Sequence, residues 1–366
     1  MADLKLSDHQ DSMEKPMQRS VTTRRILVTS ILFTMSCAIV LGQKATLRKA
    51  SLAEFPGATD CNSPAHWKDG NLYLHNSAGL PVLSRGPDQF HLGHTQAVFY
   101  DHHKLPTRWI ESTYLDDDGT VYGWYHHEPG GLCPGNRLTS PKIGALRSKN
   151  NGGSYEDLGV VLEAPGPIDC NAKNGYFAGG NGDFTVILDR NKGYFYFLIS
   201  TYHDQVAEQG VAVARMSFAD RNNPVGKVWK YHKGEWREPG LGGHVTPIFP
   251  AKVDWKRKDA DSLWGPSLHW NTYLEKWVML LNRTCCSEGW PQEGIYVSFN
   301  SDLAKPNGWS QPVKILEGAK KGFYGPGWYP QVLGLDKNAK ETDKLAGKVA
   351  RFYLAGRSEW EIVFEK

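Results

Sequence analysis

The chain has 366 residues, with 42 Lys and Arg against 39 Asp and Glu for a formal charge of +3, and it is rich in glycine (38), tryptophan (13) and tyrosine (16). So small a charge, with no Lys/Arg run interleaved with stacking aromatics past residue 60, excludes nucleic acid as an expected partner. The glycine and aromatic content, with no long amphipathic helix traceable past residue 60, points to a single all-β body of strands and tight turns.

Residues 1–25 are polar and end in Arg24-Arg25; residues 26–41 are an uninterrupted, weakly apolar run, and Val40-Leu41-Gly42 supplies tolerated cleavage residues before Gln43. This reads as a signal peptide with a polar N-terminal extension over 1–42, which predicts a secreted or periplasmic protein with no stable membrane insertion after cleavage. The run is short for a membrane span, yet the polar lead is long, so an uncleaved signal anchor is the alternative. Cys37 follows Thr34-Met35-Ser36 and is a poor lipoprotein acceptor. Residues 43–59 are expected to be a linker and 60–366 the folded body. Cleavage leaves Cys61, Cys133, Cys170, Cys285 and Cys286, an odd set that leaves a thiol over or forms an intermolecular bond in an oxidising compartment. Cys133 and Cys170, both in Gly/Pro-rich loops, are the expected pair. Cys285-Cys286 has no metal-ligand spacing around it, so no zinc site is expected.

Past residue 60 one pattern recurs: a short start, an alternating strand, a polar turn, and a second strand carrying aromatics. It begins at Ser63, Glu111, Asp183, Trp264 and Tyr329, the last with a long polar insert before 350–358. Units at intervals of roughly 50 to 80 residues predict a five-bladed β-propeller. In the first unit Asp69-Gly70 marks a tight hairpin. In the second, Asp116-Asp117-Asp118-Gly119 lacks the alternating oxygen ligands and terminal Glu of a calcium loop and reads as a solvated turn. Ser148 to Tyr155 fits a loose S-x-(D/N)-x-G-x-x-(W/Y) pattern that resembles the Asp-box turn of sialidases and other propellers, a structural signature whose polar side chains bond their own backbone. The glycines of Gly179-Gly180-Asn181-Gly182 precede no helix, so they suit tight packing near a crowded axis rather than a phosphate cradle. The sequon Asn282-Arg283-Thr284 is expected at a strand end, and the alternating stretch 359–364 is suited to close the ring.

The start Gly265-Pro266-Ser267-Leu268 and the outer strand running from Ser301-Asp302-Leu303 to Trp309-Ser310-Gln311-Pro312 resemble the five-bladed propeller glycosidases, namely glycoside hydrolase family 43 with its arabinanase, xylosidase and levansucrase relatives. The resemblance covers nearly all of the chain past residue 60. It implies a general-base Asp in blade 1, a pKa-tuning Asp in blade 3 and a general-acid Glu in blade 4. Only the middle one carries over, as Asp183; the blade 1 position reads Ser63 and the blade 4 position Trp264. A central calcium occurs in parts of that family, but the His usual at the blade 5 start is replaced by Trp328-Tyr329-Pro330, so no cofactor is expected to be required and a calcium is unsupported.

Aligning the five starts places Ser63, Glu111, Asp183, Gly265 and Tyr329 on one ring around the axis, and glycoside cleavage needs two carboxyls there. Glu111, with the apolar neighbours Trp109 and Ile110, is assigned as acid, and Asp183, among glycines, as base or tuning carboxylate; Asp60 is the reserve base. Substrate contacts are expected from Trp264, Glu128, His126, Tyr329 and Ser63. The structural alternatives are that Glu111 bonds loop amides, Asp183 fixes a turn, and the aromatics, Trp124 and Trp270 included, pack the core. The function expected is an exported, monomeric glycoside hydrolase acting on a polysaccharide or oligosaccharide. A non-catalytic propeller binding a glycan or protein is the alternative; a sialidase-like activity is disfavoured because Arg108, Arg137, Arg147, Arg215 and Arg283 form no evident axial triad.

Overall fold

In the first hairpin, strands Ala65–Lys68 and Asn71–Asn76 are joined by Asp69 and Gly70, both at positive φ (48° and 75°). That two-residue turn matches the right-handed twist of the strands it connects. The computed structural model describes residues 42–76, 78, 80–101, 108–318 and 327–366, so the signal-peptide reading of 1–41 lies outside the described residues. Among the described residues no helix is long and apolar enough to cross a membrane.

Five largely antiparallel sheets follow one another around an axis. Their innermost strands are Ala65–Lys68, Arg108–Leu115, Asn181–Leu188, Ser262–Asn271 and Pro330–Gly334. Asn181–Leu188 is buried along nearly its whole length, because the neighbouring blades cover both of its faces. Five apolar clusters fill the gaps between blades. Tyr73 and Leu83 meet Tyr125 and Leu146; Trp124 and Ile143 meet Phe195 and Phe197; Leu198 and Val213 meet Leu268 and Met279; Val278 and Leu280 meet Val332 and Phe352; and Leu333 and Tyr353 return to Leu72 and Leu74. A ring with five such seams has five blades.

The ring is closed by a segment expected to be a linker. Lys44–Glu54, within 43–59, is a strand that pairs antiparallel with Arg357–Glu365 and supplies the outermost strand of blade 5, so the propeller begins before residue 60. Only Ala45 is buried in it, and Arg48, Lys49 and Glu54 are exposed, the polar dress of an edge strand, which is why no apolar alternation announced it. The blade 5 insert also contributes: Leu345–Ala346 pairs in parallel with Ser262–Asn271 of blade 4.

Other local expectations hold. Ser148 Oγ and Asn150 Oδ1 accept from backbone amides at Gly152 and Ser154, and Tyr155 packs beneath the turn at 2% exposure. Cys133 and Cys170 are bonded, with their Cα atoms 5.3 Å apart. Cys285 and Cys286 are bonded to each other, and the Cys61 thiol is buried against the Asn62 carbonyl. Asn282, of the sequon, is fully buried and accepts from Gln292, so it offers no glycosylation site.

If the N-terminal strand closes the ring, a chain beginning at residue 55 leaves 357–365 as a bare edge. Thermal unfolding should then fall by roughly 10 °C or more relative to a chain beginning at residue 42; equal melting temperatures would return 43–59 to the status of a linker.

Candidate active site

The inner strands of blades 2, 3 and 4 each break register at their start, between Ile110 and Ser112, Gly182 and Phe184, and Trp264 and Ser267. The extra residues are Glu111, Asp183 and the pair Gly265-Pro266. A bulge turns a side chain out of the alternation of its strand: here Asp183 reaches the cavity and Glu111 the blade 3 backbone. Asp183 is left with φ of 40°, a left-handed backbone that aspartate tolerates better than most residues but that still stores strain. Gly182 beside it has no substitute: a Cβ there would lie 2.8 Å from His126 Cε1.

Glu111 is 1% exposed, and both of its oxygens take donors. Oε1 is 2.8 Å from His126 Nδ1, and Oε2 accepts from the Phe184 amide at 2.7 Å. The other ring nitrogen of His126, Nε2, is 3.4 Å from Glu128 Oε1. Burial works against charge on His126, but the bonds to Glu111 and Glu128 outweigh it and hold the imidazole well above the ordinary histidine range. Asp183 receives the Tyr202 hydroxyl on Oδ2 at 2.5 Å. Burial, reinforced by the nearby Glu111 charge and only partly offset by His126 and Tyr202, pushes the Asp183 carboxyl up to about 7. Burial also raises Asp60, against a hydrogen bond from Tyr329 (3.3 Å) that lowers it.

A cavity of ≈130 Å³ opens over this network. Its polar wall is Asp60, His126, Glu128 and Asp183, and its apolar wall is Trp109, Tyr176, Phe177, Trp264, Trp290, Trp328 and Tyr329. The rings of Trp264, Trp290, Trp328 and Tyr329 pack edge to face, with centroids 5.3 to 5.8 Å apart where Trp264 meets the others. The indole N–H groups of Trp109, Trp264 and Trp290 are buried with no protein acceptor among the described residues, and buried donors of that kind call for one.

Of the residues expected at the site, Asp60, His126, Glu128, Asp183, Trp264 and Tyr329 line the cavity. Glu111 does not; it stands behind His126, because its bulge aims it at the blade 3 backbone. Ser63 is also off the wall: its amide and carbonyl are held by the Gln331 side chain at 2.7 and 2.9 Å. Trp124 is core, packed on Phe195 and Phe197, and Trp270 lines a different cavity with Leu188 and Lys344. Tyr176, Phe177, Tyr202 and Trp290 went unread. The first two lie in the loop stapled by Cys133–Cys170 just before the blade 3 glycines, and that proximity is the signal that marks them.

Donor atoms of Glu111, His126 and Asp183 lie within 4.8 Å of one another, but an ion among them would have to displace His126 from Glu111. A second cluster, His203, Glu208 and His244, is equally occupied: the Gln205 amide donates to His203 Nδ1 at 2.9 Å, which places the neutral ring's proton on Nε2, the atom facing Glu208. In a third, Asp261 with Cys285 and Cys286, Arg283 binds both Asp261 oxygens.

No protein-family profile matches the chain, and no curated protein matches it. Among solved structures it is similar to an endo-arabinase from Bacteroides thetaiotaomicron (TM-score 0.50, 12% identity, covering 87% of this chain and 98% of that one). It is also similar to a thermostable family-43 glycoside hydrolase (TM-score 0.48, 12% identity, 86% and 92%) and to an arabinanase from Bacillus subtilis (TM-score 0.44, 12% identity, 84% and 95%). The chain shares the five-bladed β-propeller fold of glycoside hydrolase family 43 structures.

Proposed function

We propose that the protein is an exported, monomeric glycoside hydrolase in which Asp183 is the general acid and Asp60 the general base. The observation that carries this reading is the pairing, on one aromatic-walled cavity, of a buried carboxyl held near a pKa of 7 with a second carboxyl at the exposed rim. An acid that keeps its proton near neutrality can protonate a departing glycosidic oxygen, and a rim carboxylate in contact with solvent can take the proton of the attacking water. Flat aromatic walls suit the apolar faces of sugar rings. Glu111, first assigned as the acid, becomes a positioning residue: it holds His126, and the imidazolium tempers the rise in the Asp183 pKa. Export rests on the apolar run 26–41 and its cleavage residues.

Trp264 favours a second reading. It occupies the blade 4 position where the resembling family carries its acid and leaves the cavity without a carboxyl from that blade, as a glycan-binding propeller would.

Asp183→Asn preserves shape and removes the transferable proton. Turnover of a glycan with an unactivated leaving group should fall about 10²–10⁴-fold, with a much smaller loss on an activated aryl glycoside, while Asp60→Asn should impair both. Equal loss on both substrates in Asp183→Asn would remove it from the acid role, and a wild type that binds glycans but hydrolyses none would establish the binding propeller.

The pH dependence follows from the same pair. With the acid active only when protonated, kcat/KM on the unactivated substrate should decline as pH rises through about 7. It should decline again at the acid end as Asp60 gains its proton. Glu111→Gln removes a charge that raises Asp183 and also the support for the imidazolium that lowers it more strongly, so the alkaline limb should move; an unmoved limb would mean that Glu111 does not act on Asp183.

A further inference from the structure

We propose that the cavity selects a sugar carrying a free, protonated amine, an amino sugar at the end of the glycan, over neutral and N-acetylated sugars. The inference rests on reading the cavity as a sugar site, and it follows from how charge is distributed on the wall. Asp60, Glu128 and Asp183 present three carboxyls to ≈130 Å³ of space, whereas His126 is the one cationic side chain among the described residues that line it. That cation lies between two carboxylates: Nδ1 bonds Glu111 at 2.8 Å, and Nε2, with no hydrogen bond among the described residues, lies 3.4 Å from Glu128. No Lys or Arg is among the described lining residues.

A ligand that fills the cavity strips water from Glu128, whose side chain is 32% exposed, and from Asp60 at the rim. A neutral sugar returns only hydroxyl donors to these carboxylates, and desolvating a charge without a counter-charge is costly. An ammonium returns charge-assisted hydrogen bonds to the same oxygens. It would also meet the faces of the surrounding indole and phenol rings, which attract cations. The two halves of the wall then divide the ligand: the carboxylates take the amine, and the aromatic rings take the apolar face of the sugar. N-acetylation removes the charge and enlarges the group, so it should abolish the advantage.

The test is a titration of the full propeller by intrinsic tryptophan fluorescence, since four indoles line the cavity. It is run at about pH 6, where an amine of ordinary basicity is protonated. The probes are the methyl glycosides of glucosamine and galactosamine, their N-acetylated forms, and the parent glucose and galactose compounds. The expected result is saturable binding of at least one amine with a Kd about tenfold or more below its neutral and N-acetyl counterparts. Glu128→Gln should erase that preference and Asp60→Asn should reduce it, each in a protein whose melting temperature matches that of the wild type. Neutral sugars binding as tightly as amines, no saturable amine binding, or a preference that survives both variants would overturn the proposal. The two readings fail separately: hydrolysis of neutral glycans without amine preference sinks this inference alone, whereas amine-selective binding without hydrolysis sinks only the hydrolase reading.

Discussion

The innermost strands of propeller blades turn their inner edges to the axis, with no strand beside them except here where Leu345–Ala346 covers part of the blade 4 edge. Their amides and carbonyls must find partners, because an unpaired buried backbone group costs as much as a lost hydrogen bond. Side chains meet this demand here by crossing between blades. Asn62 of blade 1 donates to the carbonyls of Phe184 in blade 3 and Pro266 in blade 4. Gln331 of blade 5 pairs with both backbone groups of Ser63. Ser112 Oγ of blade 2 accepts from Val186 of blade 3, and Ser200 Oγ of blade 3 accepts from Gly265 of blade 4. Glu111 belongs to the same set through the Phe184 amide. The apolar seams supply most of the burial, and these polar ties fix how the blades are rotated about the axis.

The chemistry of the cavity grows out of that hub. A buried carboxylate that ties blade 2 to blade 3 needs a counter-charge, and His126 provides it; the imidazole in turn reaches Glu128 on the wall. Asp183 sits one bulge away, too buried to ionise easily and close enough to feel the Glu111 charge. Its positive φ is matched at Trp290 (53°) and Tyr329 (57°), so three non-glycine residues of one cavity hold a backbone that stores strain. Such strain persists only where the surrounding structure over-determines it, which supports reading this cavity as the functional one. The larger hollow at Lys173, Lys256 and Lys258 lacks that character: Lys256 and Lys258 are paired with acids at the surface.

Much of the architecture was legible in the chain. Period-two alternation, Asp-Gly turns and aromatic second strands recur often enough to count five blades, since each hairpin must bury the same two faces. Lys44–Glu54 escaped because an edge strand buries little and carries charge, which erases the alternation. For the site, residue type and position along the repeat located Asp183, Glu128, His126 and Trp264, since strand starts converge on the axis in any propeller. Direction was not legible. Glu111 and Asp183 occupy equivalent bulges, yet one side chain turns to the neighbouring backbone and the other to the cavity, and a residue-level alignment carries no such vector. Trp290 depends on a loop whose return to the mouth is decided by tertiary packing, with the Cys133–Cys170 bond holding the loop that bears Tyr176 and Phe177, whereas Tyr202 directly follows the strand Tyr194–Thr201 and stacks on Phe177.

The central claim is that Asp183 is a neutral acid near neutral pH because burial outweighs the His126 imidazolium and the Tyr202 hydroxyl, which favour its charge. Infrared difference spectroscopy of wild type against Asp183→Asn reads this without any substrate. The account predicts a protonated-carboxyl carbonyl band in the wild type at about pH 6 that fades as pH passes through about 7 and is missing from the variant. An Asp183 that gives only carboxylate bands at every pH above about 5 would contradict it.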